Sequence, residues 1–355
     1  MKIGLVGLPL AGKTTFFNLL TGAEAATSSF AGARGSHVGV ARVPDKRVDF
    51  LSGLFQPRVT TYAQIQVLDI PGLTPGGGAS EFAGPLRDAD ALVAILRGFY
   101  NPAVGLADAP NPLRDLKDLM AELILSDLAV VEKRLERLAK GKKAGTGIPG
   151  EEEVLRQAKE ALENEQPVVS LGLSEDERLP LKNYGLYTDK PLLVVLNTSE
   201  EGLKNNAARG QRELESYAKE RKLPVLVVCA QLEEEIERLP LEEREVFLAD
   251  LGVSEPGVTR LAQVAYAYLD LISYFTVGSD EVKAWTIRQG TTAKQAAGKI
   301  HSDIERGFIR AEVAVYEDMA REQSLAKLKE KGLLRLEGKD YVVQDGDIMN
   351  FRFNV

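Results

Sequence analysis

The sequence predicts an α/β protein in which a largely parallel sheet carries an inserted α-helical hairpin and is followed by a small α+β domain. Short β-branched runs recur up to about residue 228, and most are continuously apolar, as in strands covered on both faces. A long stretch rich in Leu, Glu, Lys and Arg with helical periodicity separates the fourth run from the fifth. After about residue 271, shorter segments separated by turns replace this pattern.

The main sheet is predicted from apolar runs at residues 2–6, 38–43, 62–69, 91–96, 192–196 and 225–228. In the insertion, a helical seam steps by four, three, four and three residues through Ile124, Leu128, Val131, Leu135 and Leu138. A glycine-rich turn at 141–150 precedes a second amphipathic segment that runs from Glu151 to about Asn164. This pattern predicts a helical hairpin or coiled coil.

The C-terminal part is expected to hold strands at 281–286, 311–315, 340–343 and 348–353 around a helix near 293–306. We therefore divide the chain into a main α/β domain (1–112 and 181–272), a helical insertion (113–180) and a small α+β domain (273–355).

Composition limits the class of protein. The 355 residues suit two or three domains, and a net charge of −8 argues against a surface coated for nucleic acid. The single cysteine, Cys229, excludes an intrachain disulfide, which fits a reducing compartment. No apolar run approaches the roughly 18 residues of a membrane span, and the first ten residues read as strand and loop rather than as a signal peptide. We expect a cytoplasmic protein without membrane contact.

The most informative motif is G-x-x-x-x-G-K-[ST] at residues 7–14, between the first strand and an apolar-periodic stretch. In such a phosphate loop, backbone N–H groups surround the phosphates of a nucleoside triphosphate, and Lys13 places its charge between the β- and γ-phosphates. Thr14 offers its hydroxyl to Mg²⁺. The loop and helix start therefore supply the candidate nucleotide ligands Leu10, Ala11, Gly12, Lys13, Thr14 and Thr15.

Three further strand ends complete the expected site. Asp69 and Gly72 form a D-x-x-G sequence, where phosphate-loop proteins hold Mg²⁺ through its water shell and sense the γ-phosphate. Asn197 and Glu200 form N-x-x-E at the position where guanine-specific proteins carry N-K-x-D, so guanine selection should be weak. After the sixth strand, a small-residue loop is expected to bring backbone N–H groups to the purine edge: Cys229, Ala230 and Gln231.

This order of elements resembles the YchF / Obg-like ATPase family of the P-loop GTPase class, over essentially the whole chain. The most specific stretches are residues 4–9 and 197–200 and, in the C-terminal part, 284–286, 300–303, 307–313 and 337–347. The resemblance implies that 1–112 with 181–272 is a nucleotide-binding G domain and that 273–355 is a TGS domain with a β-grasp, ubiquitin-like fold. It also implies ATP hydrolysis, often in preference to GTP, and association with ribosomes.

The chain departs from the family in its switch regions. The segment 30–37 has no hydroxyl in register with the family's Mg²⁺-closing threonine, so either Ser36 substitutes or the γ-phosphate orders this switch poorly. The loop at 100–112 lacks the histidine that relatives usually carry. Leu73 stands where a Ras-type enzyme has its water-orienting glutamine, an apolar substitution that the family shares. The catalytic residue therefore stays unknown, and slow intrinsic hydrolysis is expected.

Two functions are weighed on this basis. The first is an Mg²⁺-dependent switch that binds and slowly hydrolyses ATP, at least as well as GTP, and engages the ribosome or a ribosomal subunit. The alternative is a nucleotide-binding adaptor with little or no intrinsic hydrolysis, which the altered first switch favours. RNA contact would use the TGS domain or the hairpin. The end of the hairpin carries a basic cluster, for which a solvated helix face is the first interpretation and a partner-binding tip the second: Lys133, Arg134, Arg137, Lys140, Lys142 and Lys143.

Three single residues are also weighed. His37 lies in the first switch region, and that location is the one argument for a catalytic role. His301 is expected at a helix surface or in packing, since no metal-type partner is spaced near it. Trp285 is expected in the core of the β-grasp sheet rather than as a stacking platform for RNA.

Overall fold

The computed structural model describes residues 1–22, 37–71, 85–100, 109–141, 149–205, 208–250, 253 and 255–354. Its strands are β1 (Lys2–Val6), β2 (His37–Val43), β3 (Val59–Thr61), β4 (Ala63–Asp69), β5 (Ala91–Gly98), β6 (Leu192–Thr198), β7 (Val225–Val228), β8 (Leu271–Val277), β9 (Glu281–Arg288), β10 (Phe308–Val315), β11 (Arg335–Glu337) and β12 (Asp347–Phe353).

Its α-helices are α1 (Lys13–Thr21), α2 (Lys46–Phe55), α3 (Pro112–Gly141), α4 (Glu151–Glu163), α5 (Glu175–Arg178), α6 (Glu200–Lys204), α7 (Gln211–Glu220), α8 (Ala230–Arg238), α9 (Leu241–Asp250), α10 (Gly257–Tyr268), α11 (Ala293–Ile300), α12 (Ser302–Arg306), α13 (Tyr316–Glu322) and α14 (Leu325–Glu330). None of the helices in the described parts of the chain is both long and apolar enough to cross a lipid bilayer.

The chain divides into two compact units, residues 1–41 with 66–261 and residues 42–65 with 262–355. The main sheet has the order β2-β4-β1-β5-β6-β7, and the predicted runs in the first 230 residues each correspond to one of its strands. β1, β4, β5, β6 and β7 pair in parallel, so their carboxyl ends meet at one edge. Both faces of β6 are buried, which explains why its sequence is apolar without alternation.

The helical insertion forms the predicted hairpin. The seam residues Ile124 and Val131 on α3 pack with Val154, Leu155 and Ala158 of α4 in one apolar cluster. Leu128, Leu135 and Leu138 flank this cluster. The spacing of four and three residues therefore marks the face that α3 buries against α4.

Two buried carboxylates fix the insertion. Asp127 is fully buried on α3 and accepts hydrogen bonds from the backbone N–H groups of Tyr187 and Thr188, at 3.0 and 2.7 Å. Burial raises the pKa of Asp127, while these hydrogen bonds lower it. Glu151, at the start of α4, accepts two hydrogen bonds from the Arg134 guanidinium, at 2.8 and 3.0 Å. Arg134, part of the basic cluster, is thus committed to an ion pair within the hairpin.

The second unit is built on a sheet with the order β11-β10-β12-β8-β9-β3. β8 and β9 form an antiparallel hairpin, β12 lies parallel to β8, and the alanines of α11 pack on the sheet in the same apolar cluster as Tyr274 and Phe351. This is the arrangement of a β-grasp fold, as the resemblance implied. Trp285 is half-buried on β9, packs against that cluster and donates to Thr276 Oγ1 at 3.0 Å.

The second unit also contains residues 42–65, which the sequence analysis placed with the main domain. β3 pairs in parallel with β9, and Arg47 at the start of α2 forms an ion pair with Asp345 at 2.7 Å and lies over the Phe275 ring. Strand pairing and packing between distant segments, rather than chain order, decide this membership. The three-residue strand β3 is too short for its alternation to show in the sequence.

The structure also differs from the predicted secondary structure of the C-terminal part. Residues 340–343 form no strand; Val342 makes one isolated bridge to Thr292, and the strand lies earlier, at β11. The single predicted helix is divided at His301, whose extended backbone ends α11. The His301 Nδ1 atom then accepts the N–H of Asp303 at 3.1 Å and caps α12. His301 is therefore an exposed capping residue.

Candidate nucleotide-binding site

The loop between β1 and α1 has a backbone that its sequence makes possible. Gly12 precedes α1 in the left-handed region, with φ +95°, and an added Cβ there would lie 2.4 Å from Asn197 Nδ2. Gly7 has φ +154°, and an added Cβ would lie 2.4 Å from the Ile95 carbonyl oxygen. Leu10 adopts φ +62°, which is uncommon for a residue with a side chain. The two glycines thus permit the close approach that lets this loop surround phosphates.

Lys13 extends back over this loop. Its Nζ donates to the Gly7 and Leu8 carbonyl oxygens at 3.1 and 2.9 Å, and the residue is buried. Burial lowers the pKa of Lys13 to about 8, although the charge of Asp69 acts in the opposite direction. An ammonium group held over a phosphate-type loop is placed to meet phosphate oxygens.

Thr14 and Asp69 come together as predicted for a metal site. Thr14 Oγ1 donates to Asp69 Oδ2 at 2.8 Å, whereas the buried Oδ1 atom of Asp69 has no hydrogen-bond partner among the described residues. Burial raises the pKa of Asp69, and the Thr14 hydrogen bond and the Lys13 charge lower it. His37 also lowers this pKa, and its exposed ring lies 6.0 Å from that of Phe17, one turn after Thr14 on α1.

Asn197, at the end of β6, joins two loops of the site. Its Nδ2 donates to the Ala11 carbonyl oxygen at 3.1 Å, and its Oδ1 accepts the Ala230 N–H at 3.0 Å. From the sequence, the loop after β7 is expected to offer backbone N–H groups to the purine. The Ala230 N–H is instead directed to Asn197, because the parallel register places the ends of β6 and β7 side by side.

The other positions of N-x-x-E do not reproduce a guanine pocket. Thr198 is buried, and its Oγ1 donates to the Gly98 carbonyl oxygen at 3.4 Å, so no long aliphatic chain extends from this position. Glu200 begins α6 and pairs with Lys204 at 2.8 Å; its side chain is 53% exposed. Neither residue provides the paired lysine stem and short carboxylate of N-K-x-D.

A cavity of about 490 Å³ lies beside the phosphate loop. The predicted residues that line it are Gly12, Thr15, Asn197, Glu200, Cys229, Ala230 and Gln231. Burial raises the pKa of the Cys229 thiol, which sits at the start of α8. Phe99 and Tyr100 also line the cavity, directly after β5, and were not among the predicted site residues. The pair of adjacent aromatic residues at the end of a predicted strand was the feature of the sequence that could have indicated them.

Several predicted elements lie outside the described residues. These include Gly72, the first-switch segment before His37, and the stretch that follows D-x-x-G. Lys142, Lys143 and residues 101–108 of the loop without a histidine also lie outside them. Their predicted roles therefore stay predictions.

Comparison with known proteins agrees with this geometry. Residues 2–133 match the family model described as a 50S ribosome-binding GTPase. Residues 271–354 match the YchF GTPase C-terminal model, described as a protein of unknown function (DUF933). The chain is 40% identical over 365 residues to the ribosome-binding ATPase YchF of Bacillus subtilis, covering 100% of both proteins.

The ribosome-binding ATPase YchF of Haemophilus influenzae is 42% identical over 363 residues, covering 100% of this chain and 99% of that protein. Among solved structures, the Schizosaccharomyces pombe YchF GTPase superposes with a TM-score of 0.86 at 28% identity, covering 99% of this chain and 97% of that one. Fold, phosphate loop and full-length similarity agree, and the chain belongs to the YchF family of P-loop GTPases.

Proposed function

We propose that this protein is an Mg²⁺-dependent nucleoside triphosphatase that binds ATP at least as well as GTP, hydrolyses it slowly and associates with the ribosome or the translation machinery. The observation that carries the proposal is the convergence of Lys13, Thr14 and Asp69 at the carboxyl edge of the sheet, beside a cavity of about 490 Å³. Such an edge is where open α/β sheets bind ligands.

The residues present fit a magnesium ion. The Oδ1 atom of Asp69, which has no hydrogen-bond partner in the part of the chain that the structure describes, is a buried acceptor beside the Thr14 hydroxyl. Hydroxyl and carboxylate oxygens are the ligands that Mg²⁺ prefers. When bound, Mg²⁺ would neutralise charge on the β- and γ-phosphate oxygens. Lys13 would exchange its hydrogen bonds to the loop carbonyls for bonds to the phosphates, and the α1 N-terminus would face them.

The base preference follows from which groups are free. A guanine O6 atom needs a donor, but the Ala230 N–H is already bonded to Asn197. Glu200, Glu234 and Glu235 line the cavity, and a carboxylate can accept from the adenine amino group and equally from the N1–H and amino groups of guanine, so these residues favour neither base. A site without matched partners discriminates by about 1–2 kcal/mol, so we expect ATP to bind at least as well as GTP.

Ribosome association is proposed from the relatives. The Bacillus subtilis and Haemophilus influenzae proteins are named ribosome-binding ATPases, and this chain matches each of them over its full length. The same names favour turnover over the alternative of an adaptor with little or no intrinsic hydrolysis. A ribosome-associated protein acts in the cytoplasm. We include in this proposal that the protein contacts RNA through the hairpin or the β-grasp domain.

Phosphate release from ATP and from GTP, with and without ribosomes, tests the proposal. We expect slow release by the wild type that exceeds the release by a Lys13→Ala variant, and a change in rate when ribosomes are added. If phosphate release by the wild type is indistinguishable from that by Lys13→Ala under every condition, the adaptor function is favoured instead. A GTP preference of a hundredfold, about 2.7 kcal/mol, would contradict the base assignment.

A further inference from the structure

The start of β2 lies beside α1. An added Cβ on Gly39 would lie 2.5 Å from Thr21 Cγ2 and 2.9 Å from Phe17 Cζ, so this face of β2 packs directly on the helix. His37 stands two residues earlier on the same face of the strand, and its ring centre lies 6.0 Å from that of Phe17. Followed back from Gly39 to His37, β2 therefore runs from the end of α1 towards its beginning.

One turn before Phe17, α1 carries the groups assigned to the phosphates. Lys13 and Thr14 stand four and three residues before Phe17, on the same face of the helix. Asp69, which accepts the Thr14 hydrogen bond, ends β4, the strand next to β2 in the sheet. Burial raises the pKa of Asp69, and the charge of His37 is near enough to act against this rise. The His37 imidazole thus borders the end of the site where the γ-phosphate would lie.

The His37 side chain is free to contact a ligand. The residue is exposed, and within the part of the chain that the structure describes no hydrogen bond or ion pair engages its ring. A neutral imidazole accepts a hydrogen bond at one nitrogen and donates one at the other. Thr14 and Asp69 are assigned above to Mg²⁺, and the Lys13 ammonium group can only donate. His37 therefore offers a free acceptor at this end of the site.

We propose that His37 is the catalytic residue that orients the attacking water, through a hydrogen bond that one imidazole nitrogen accepts from it. The inference rests on the proposed triphosphatase function and assigns the role that the apolar Leu73 cannot perform. The water oxygen forms a bond to the γ-phosphorus while the bond from that phosphorus to the β–γ bridging oxygen breaks. The bridging oxygen leaves on the nucleoside diphosphate with the electron pair. One water proton remains on inorganic phosphate and the other passes to solvent, so His37 acts by positioning, on which phosphoryl transfer mainly depends.

The rate of the chemical step in three variants of this residue tests the role. Single-turnover assays with the protein in excess over radiolabelled ATP measure this rate even when turnover is slow. His37→Ala should lower it about tenfold, the effect of one hydrogen bond made in the transition state, and should leave ATP affinity unchanged. His37→Phe keeps a ring beside Phe17 without a nitrogen and should lose the same factor. His37→Gln restores an acceptor and should stay within about threefold of the wild type.

The other histidine of the chain provides the matched control. His301→Ala removes an exposed imidazole from the second unit, and both the rate and the ATP affinity should be unchanged. Affinity for a transition-state mimic adds a readout that does not depend on turnover. His37→Ala should weaken binding of ADP with aluminium fluoride about tenfold and leave binding of ADP alone unchanged. Thermal unfolding of every variant verifies that the fold is retained.

The outcomes separate this inference from the proposed function. If the wild type releases phosphate no faster than Lys13→Ala, both are refuted. If the wild type is faster and His37→Ala matches the wild type, the assignment of His37 alone is refuted. A wild-type rate for His37→Phe would show that the ring only packs against Phe17, and would refute the orienting role. A loss of ATP affinity equal to the loss of rate would place the contact on the bound substrate and also refute it.

Discussion

Replacing Asn197 with alanine tests how the site is assembled. Its side-chain amide connects the Ala11 carbonyl oxygen with the Ala230 N–H, at 3.1 and 3.0 Å, and only 5% of the residue is exposed. Asn197→Ala removes both hydrogen bonds at once. The phosphate loop and the loop before α8 then lose the side chain that holds them at a fixed separation.

The expected loss of stability follows from the two hydrogen bonds that Asn197 makes. A net intramolecular hydrogen bond contributes about 0.5–1.5 kcal/mol, which gives about 1–3 kcal/mol for the pair. Asn197 borders the cavity, so water can reach the freed groups and offset part of their burial cost. We therefore expect the free energy of unfolding to fall by about 2 kcal/mol. If this clamp is needed for binding, nucleotide affinity falls by roughly 30-fold for the same free energy.

Urea denaturation and nucleotide titration measure these effects. Asn164→Ala is the control, because Asn164 Nδ2 donates to the Glu160 carbonyl oxygen at 2.8 Å at an exposed helix end, and its loss should cost less than about 0.5 kcal/mol. If Asn197 holds the two loops together, its loss should weaken ATP binding and GTP binding by the same factor. A loss confined to ATP would show that Asn197 reads the base, and an unchanged unfolding free energy would refute the clamp.

Three further outcomes are expected. Lys13→Ala should abolish nucleotide binding with little change in the circular dichroism spectrum, and wild-type affinity in a labelled-ATP titration would contradict the phosphate assignment. Burial holds the pKa of Lys13 at about 8 without nucleotide, and phosphates favour its charged form, so ATP binding at pH 8 should take up about half a proton and weaken as the pH rises further. Calorimetry in buffers of different ionisation enthalpy measures this uptake, and the contribution of Lys13 should shrink as the pH falls below 8 and the free protein already carries the charge. Deleting residues 273–355 removes β9, the strand with which β3 pairs, and leaves the apolar face of α2, with Val48 and Leu51, without its packing partners. The unfolding temperature should therefore fall, and dye binding to exposed apolar surface should increase. An unchanged melting curve for the remaining chain would contradict the assignment of residues 42–65 to the second unit.

The sequence predicted the parts of the protein whose information is local. The strands of the main sheet follow from runs of apolar residues, and the hairpin follows from spacings of four and three on α3. The phosphate loop follows from glycines and a lysine at fixed separations, because a tight turn around phosphates needs those residue types in that order. Asp69 could be paired with Thr14 for the same reason, since Asp69 ends β4, and the phosphate loop that leads to Thr14 at the start of α1 follows the adjacent parallel strand β1.

Tertiary structure alone decided the contacts between distant segments. Asn197 lies 186 residues from Ala11 and Arg209 lies 109 residues from Tyr100, and no local pattern encodes either pair. The same holds for β3, a three-residue strand that joins the second unit by pairing with β9. Such pairs depend on sheet register and on which side chains reach each other once the core is packed. The sequence therefore determined which chemistry the site can perform, whereas the folded chain decided which groups are left free to contact the base.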